Sequence, residues 1–208
     1  MQLTTKEHKP SPFSLDRMPN FSRIPVMVAD TPAAQSKLDK TARNRAIELA
    51  GIPVRYREAQ VNHSLFERMM ATDGLWLYGD GGVGKTYVAC GLALEYLNTN
   101  SSSVYFAPAA DVVSGAISAQ GLGGYALLIL DDIGKGMPTD LALERLFQVV
   151  DARYRNRKKL IVTSQLKPSA LVERLKSRGD SETAIAIVSR LCEQCQALQI
   201  TGRNKRLV

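Results

Sequence analysis

The sequence predicts an α/β protein built on a five-stranded parallel sheet with helices on both faces. Three observations carry that expectation. Short, continuously apolar runs alternate with longer segments whose apolar residues recur at helical spacing. The short runs lack the in-out alternation of a sheet wetted on one side, so they suit strands covered on both faces. One run, Leu75-Trp76-Leu77-Tyr78, passes through a glycine-rich turn straight into a helix-like segment.

Taken in order, residues 1 to about 30 mix prolines and polar residues without a sustained period, which predicts an extended arm. Thr31-Pro32 reads as an N-cap followed by proline at the first helical position, opening a helix to about Ala50 that stops at Gly51. Its apolar stripe, Leu38, Ala42, Ile47 and Ala50, is thin, as in a docking element. Residues 1–50 are therefore expected to form an N-terminal extension, and residues 51–208 the main domain. In that domain residues 52–59 connect to a short helix at 64–71. Strands are expected at 75–78, 103–107, 125–130, 160–163 and 196–201. Helices are expected at 87–97, 109–117, 141–154, 168–175 and 181–195.

A chain of 208 residues with 45% apolar content holds one such domain and an extension. No stretch approaches the ~20 apolar residues of a membrane span. The first twelve residues lack the apolar core of a secretory signal, so a cytosolic protein without membrane partners is expected. Cys90 falls inside a helix as a small core residue. Cys192 and Cys195 form a single CxxC that no second Cys/His pair completes, so helical spacing is expected to place both on one buried face. The net charge of +7 favours a polyanionic partner. Arg153, Arg155, Arg157, Lys158 and Lys159 cluster at the end of a predicted helix, where they either complement its dipole or contact DNA.

The run Gly79-Asp80-Gly81-Gly82-Val83-Gly84-Lys85-Thr86 satisfies GxxxxGK[ST] between a strand and a helix. Glycines let the backbone take positive φ, so successive amides and the helix N-terminus face phosphate oxygens. Lys85 would supply charge to the β- and γ-phosphates of a nucleoside triphosphate, and the Thr86 hydroxyl would bind Mg²⁺. The apolar strand of residues 127–130 ends in Asp131-Asp132, where carboxylates face the ligand crevice of an open α/β sheet. Asp131 would hold Mg²⁺, and Asp132 would orient and polarise an attacking water. These residues together read as a site that hydrolyses a nucleoside triphosphate.

The phosphate loop, the block LLILDDIG at 127–134, Arg153-Tyr154 before the strand of 160–164, and the Ile200-Thr201-Gly202 segment resemble the DnaC-type AAA+ helicase loaders and the related IstB transposition ATPases. The lead-in AGIPVRYR at 50–57 is also similar. The resemblance covers about residues 50–208 and implies an AAA+ P-loop ATPase with a reduced or absent C-terminal lid and a short N-terminal helical extension. It implies an oligomer joined through the ATP interface, a DnaB-type replicative helicase as partner, and single-stranded DNA. For the IstB branch it implies duplex DNA and a transposase instead. It places a polar sensor at the tip of the strand carrying Thr163, Ser164 and Gln165, with Gln165 where the family usually has asparagine. It also implies an arginine finger at Arg190, within Ser189-Arg190-Leu191, and a further sensing arginine at Arg206.

Overall fold

The computed structural model describes residues 32–99, 103–136, 139–177 and 180–204, with side chains from residue 40 onward. The expected arm of residues 1–30, the Thr31 cap and Arg206 lie outside the described residues. The chain divides into a unit of Met1–Leu38 and a compact body of Asp39–Val208. Helix α1 (Pro32–Leu49) begins in the first unit, and its last turns belong to the body. There Ile47 and Ala50 are buried, and the Ala50 carbonyl accepts a hydrogen bond from the Phe106 amide at 2.7 Å.

The body alternates as expected: α2 (His63–Met70), β1 (Gly74–Tyr78), α3 (Lys85–Thr99), β2 (Val104–Pro108), α4 (Ala109–Ser114), β3 (Leu127–Ile133), α5 (Asp140–Arg155), β4 (Lys159–Ser164), α6 (Pro168–Lys176), α7 (Ser181–Gln194) and β5 (Cys195–Gln199). The five strands form one parallel sheet in the order β2-β3-β4-β1-β5. This is the expected α/β architecture. No helix among the described residues is long and apolar enough to cross a membrane.

Strand alternation divides the core between the two faces. Trp76, Leu128, Leu130, Leu160 and Val162 pack under α4 to α7, against Val112, Leu146, Val150, Leu171 and Leu191. Leu75, Leu77, Leu127, Ile129 and Ile161 pack on the other face, against α3, α2 and the end of α1. Both faces of β1 to β4 are covered, which is why these strands read as apolar runs, whereas the edge strand β5 is mostly exposed.

The departures from expectation have local causes. Helix α4 stops at Ser114 rather than residue 117, because Gly115 takes φ +84 and caps it in the left-handed region. The stretch up to Tyr125 then tightens into a 3₁₀ turn at Gln120–Gly124. Strand β3 begins two residues later than expected and continues past the apolar run through both aspartates to Ile133. Its register against β4 shifts between Leu130 and Ile133, so the strand is irregular at Asp131-Asp132. Helix α7 ends at Gln194, and this corrects the reading of the CxxC. Cys195 is buried at the start of β5, whereas Cys192 is exposed. Burial pushes the Cys90 thiol up to about 12 and raises Cys195 further, as befits core thiols.

The basic cluster at the end of α5 divides into buried and exposed members. Arg153 is fully buried and donates to the carbonyls of Leu122, Tyr125, Ala126 and Lys159. Lys159 donates to the carbonyls of Met69, Met70 and Thr72. Arg155 pairs with Asp151 and Arg157 with Asp73. Arg153 and Lys159 are thus bound into the fold, whereas Arg155 and Arg157 make exposed ion pairs.

Candidate nucleotide site

The phosphate loop follows β1 at the carboxyl edge of the sheet. Gly79, Gly82 and Gly84 have φ of +146, +82 and +103, a path closed to most side chains. The chain after β5 runs alongside this loop. Ile200 donates its amide to the Tyr78 carbonyl at 2.7 Å, and a Cβ on Gly79 would overlap the Ile200 carbonyl. A Cβ on Gly82 would overlap the Asn204 side-chain amide. Glycine is therefore required twice over at Gly79, for conformation and for close approach to backbone, and at Gly82 for conformation.

Helix α3 starts at Lys85, so its unpaired N-terminal amides adjoin the loop. Lys85 is buried, and its ammonium bonds the Gly79 and Asp80 carbonyls, each at 2.7 Å. The cation is thus held over the loop, not extended into solvent. Thr86, one residue on, donates its hydroxyl to Asp131 Oδ1 at 2.9 Å.

Parallel pairing of β3 between β2 and β4 brings the two aspartates to the same edge. Asp131 accepts a second hydroxyl on Oδ1, from Thr163 at 2.7 Å. Burial pushes its carboxyl above the usual range, while the bonds from Thr163 and Thr86 pull it back down. Asp132 has φ +60, uncommon for a residue with a side chain. Its amide donates to Thr163 Oγ1 at 2.8 Å. Its carboxylate meets Lys135 at 3.2 Å and the Gln165 amide at 3.5 Å, the outer limit of a hydrogen bond.

The donor set suits Mg²⁺. Thr86 and Asp131 offer hard oxygens in contact with each other, beside a loop shaped for phosphates. Among the described residues no cluster of three or more His, Cys, Asp or Glu forms a cage for a metal. Mg²⁺ needs none, since it keeps water and phosphate oxygens and takes one or two protein ligands.

The structure gathers Gly79 to Thr86, Asp131, Asp132 and Gln165 at one edge and leaves Arg190 elsewhere. Helices α5 and α7 run side by side in the same direction, with the Asp180 amide on Asp140 at their starts and Arg190 Nε on Asp151 at 3.0 Å near their ends. Helix α7 then delivers the chain to β5, whose first residue pairs with Gly74 at the start of β1. The loop lies past the far end of β1, a strand spanning roughly 13–17 Å. Arg190 therefore sits at the opposite edge of the sheet from its own loop. It lies over the rings of Phe147 and Tyr154, with its side chain 28% exposed.

Thr163 lies in the segment where the resemblance places a polar sensor, and in the structure its hydroxyl touches both aspartates, a link the sequence does not show. The strand-to-strand register that turns Thr163 toward β3 is a tertiary fact with no local signal.

Comparison with known proteins agrees with this geometry. Residues 66–208 match the family model described as IstB-like ATP binding protein. A relative from Sinorhizobium fredii (strain NBRC 101917 / NGR234), y4pL, whose name refers to an insertion sequence and to ATP binding, is 31% identical over 170 residues, covering 74% of this chain and 67% of that protein. Among solved structures, DnaI superposes with a TM-score of 0.65 at 20% identity, over 74% of this chain and 94% of that one. The DnaC helicase loader superposes with a TM-score of 0.57 at 22% identity, over 72% of this chain and 100% of that one. Those superpositions show a shared fold, and the sequence match goes further: the chain belongs to the family of IstB-like ATP binding proteins.

Proposed function

We propose that the protein is an ATP-hydrolysing switch that works in an oligomer and places a client protein on DNA. The observation that supports hydrolysis, beyond nucleotide binding, is the linked pair of aspartates beside the loop: Asp131 bonded to Thr86, and Asp132 directed toward Gln165. In this reading Gly79 to Gly84 bind the phosphates through backbone amides, and Lys85 leaves its carbonyl partners to pair with the β- and γ-phosphates. Thr86 and Asp131 would hold Mg²⁺, which would supply positive charge to offset that of the phosphates. Asp132 accepts a proton from the attacking water, and Gln165 helps to orient that water. No covalent intermediate is needed, because positioning and charge stabilisation carry phosphoryl transfer.

The position of Arg190 supports the oligomer. It cannot serve its own loop from the opposite edge of the sheet, so as a finger it must serve a neighbour's. A head-to-tail arrangement, each copy presenting Arg190 to the next phosphate loop, satisfies that requirement.

We assign a DnaB-type replicative helicase as client, docked by residues 1–50, with single-stranded DNA at the oligomer. The fold shared with DnaI and the DnaC loader over nearly the whole of those chains is consistent with this assignment. A second reading, a transposition helper acting on duplex DNA, has its own support in the insertion-sequence name of the 31% identical relative. The test is ATP turnover on single-stranded and duplex DNA by wild type, Lys85→Ala and Asp132→Asn, together with capture of purified helicase or transposase by the full chain. Lys85→Ala should lose nucleotide binding. Asp132→Asn should keep it while turnover falls by about 10²–10⁴. Equal turnover in all three proteins defeats the ATPase reading, and capture of a transposase without helicase defeats the loader assignment.

A further inference from the structure

We infer that Thr163 is the positioning residue that sets both aspartates with one hydroxyl. This rests on the ATPase reading above and adds a residue to it. The hydroxyl has one proton to give and lone pairs to accept with. It gives the proton to Asp131 Oδ1 at 2.7 Å and accepts the Asp132 amide at 2.8 Å. The side chain is 1% exposed at the inner end of its strand edge, so water does not substitute readily for either bond.

Each bond has a separate consequence. The bond to Asp131, together with that from Thr86, places the carboxylate between two hydroxyls and fixes its orientation. Partners that orient a metal-holding group in this way typically govern metal affinity about 10–100-fold. The bond from the Asp132 amide holds that residue at φ +60, a conformation that costs free energy unless its surroundings enforce it. With the backbone pinned there, the Asp132 carboxylate points toward Gln165 and Lys135 at the edge of the crevice. Gln165 contacts the carboxylate only at 3.5 Å. Thr163 is the closer and more buried contact, and it acts through the backbone.

The test compares wild type with Thr163→Val, which keeps the shape and removes the hydroxyl, and Thr163→Ser, which keeps the hydroxyl and removes a methyl. Thr163→Cys retains volume with a weak donor and stands in where the valine variant does not fold. Binding of a fluorescent ATP analogue is titrated with and without Mg²⁺, and ATP turnover is measured beside it. Without Mg²⁺ all variants should bind nucleotide alike, because the phosphate loop is untouched. With Mg²⁺, the concentration needed for half-maximal tightening should rise about 10–100-fold in Thr163→Val, less in Thr163→Cys, and stay near wild type in Thr163→Ser. Turnover should follow the same order. An unchanged Mg²⁺ requirement in the valine or cysteine variant overturns the inference, as does a serine variant as impaired as valine, which would show that the methyl and not the hydroxyl matters. If wild type itself shows no Mg²⁺-dependent nucleotide binding, the ATPase reading falls and takes this inference with it.

Discussion

Asp131 carries a conflict between burial and charge. Its carboxyl is buried, which raises it above the usual carboxylate range, and the hydroxyls of Thr163 and Thr86 offset only part of that cost. A buried carboxylate that opposes folding should show that cost when it is neutralised. Asp131→Asn is therefore expected to raise the melting temperature of the metal-free protein while abolishing the effect of Mg²⁺ on nucleotide affinity. Thermal melts and binding titrations with and without Mg²⁺ check both halves. A variant that melts lower than wild type without metal would mean that the carboxylate is structurally satisfied. At this scale the sequence was informative wherever chemistry follows from spacing. Gly79 to Thr86 and Asp131-Asp132 are contiguous motifs, and the structure gathers them at one edge of the sheet. Thr163 was not legible as their link, because its role depends on which way β4 faces β3.

Among the elements, the junction of α5, β3 and β4 depends on one buried cation. Arg153 spans the carbonyls of Leu122 and Tyr125 in and after the 3₁₀ turn, Ala126 before β3, and Lys159 at the start of β4. Burial lowers its guanidinium to about 10, and no carboxylate is among its partners in the described residues. Carbonyl dipoles alone balance the charge. Arg153→Met fits the space but leaves those acceptors without donors, so it should cost about 3 kcal/mol or more. In urea that corresponds to a midpoint lower by roughly 1 M. A shift near zero would mean that water or neighbouring amides take over. The sequence read this arginine as part of an exposed cluster because a run of cations carries no sign of which member faces inward. The elements themselves were legible, since buried parallel strands are continuous apolar runs and the helices keep their period. Their ends were less so. The Gly115 cap of α4 and the extension of β3 through its aspartates follow from backbone conformation and pairing, not from composition.

For the whole molecule, the arrangement of α5 and α7 determines where Arg190 is held. Arg190 is held on Asp151 and over Phe147 and Tyr154, at the edge of the sheet opposite its own phosphate loop. The central claim is that this arginine acts on the nucleotide of the next copy. Mixing two inactive proteins tests it most directly: Arg190→Ala, with an intact loop and aspartates, and Asp132→Asn, with an intact arginine. Alone, each should turn over ATP at least about 10²-fold more slowly than wild type while still binding nucleotide. In an equimolar mixture with random head-to-tail pairing, about a quarter of interfaces join an intact site to an intact arginine. Steady-state ATP turnover of the mixture should then recover to about a quarter of the wild-type rate. A mixture no faster than the mean of its two components would contradict the account.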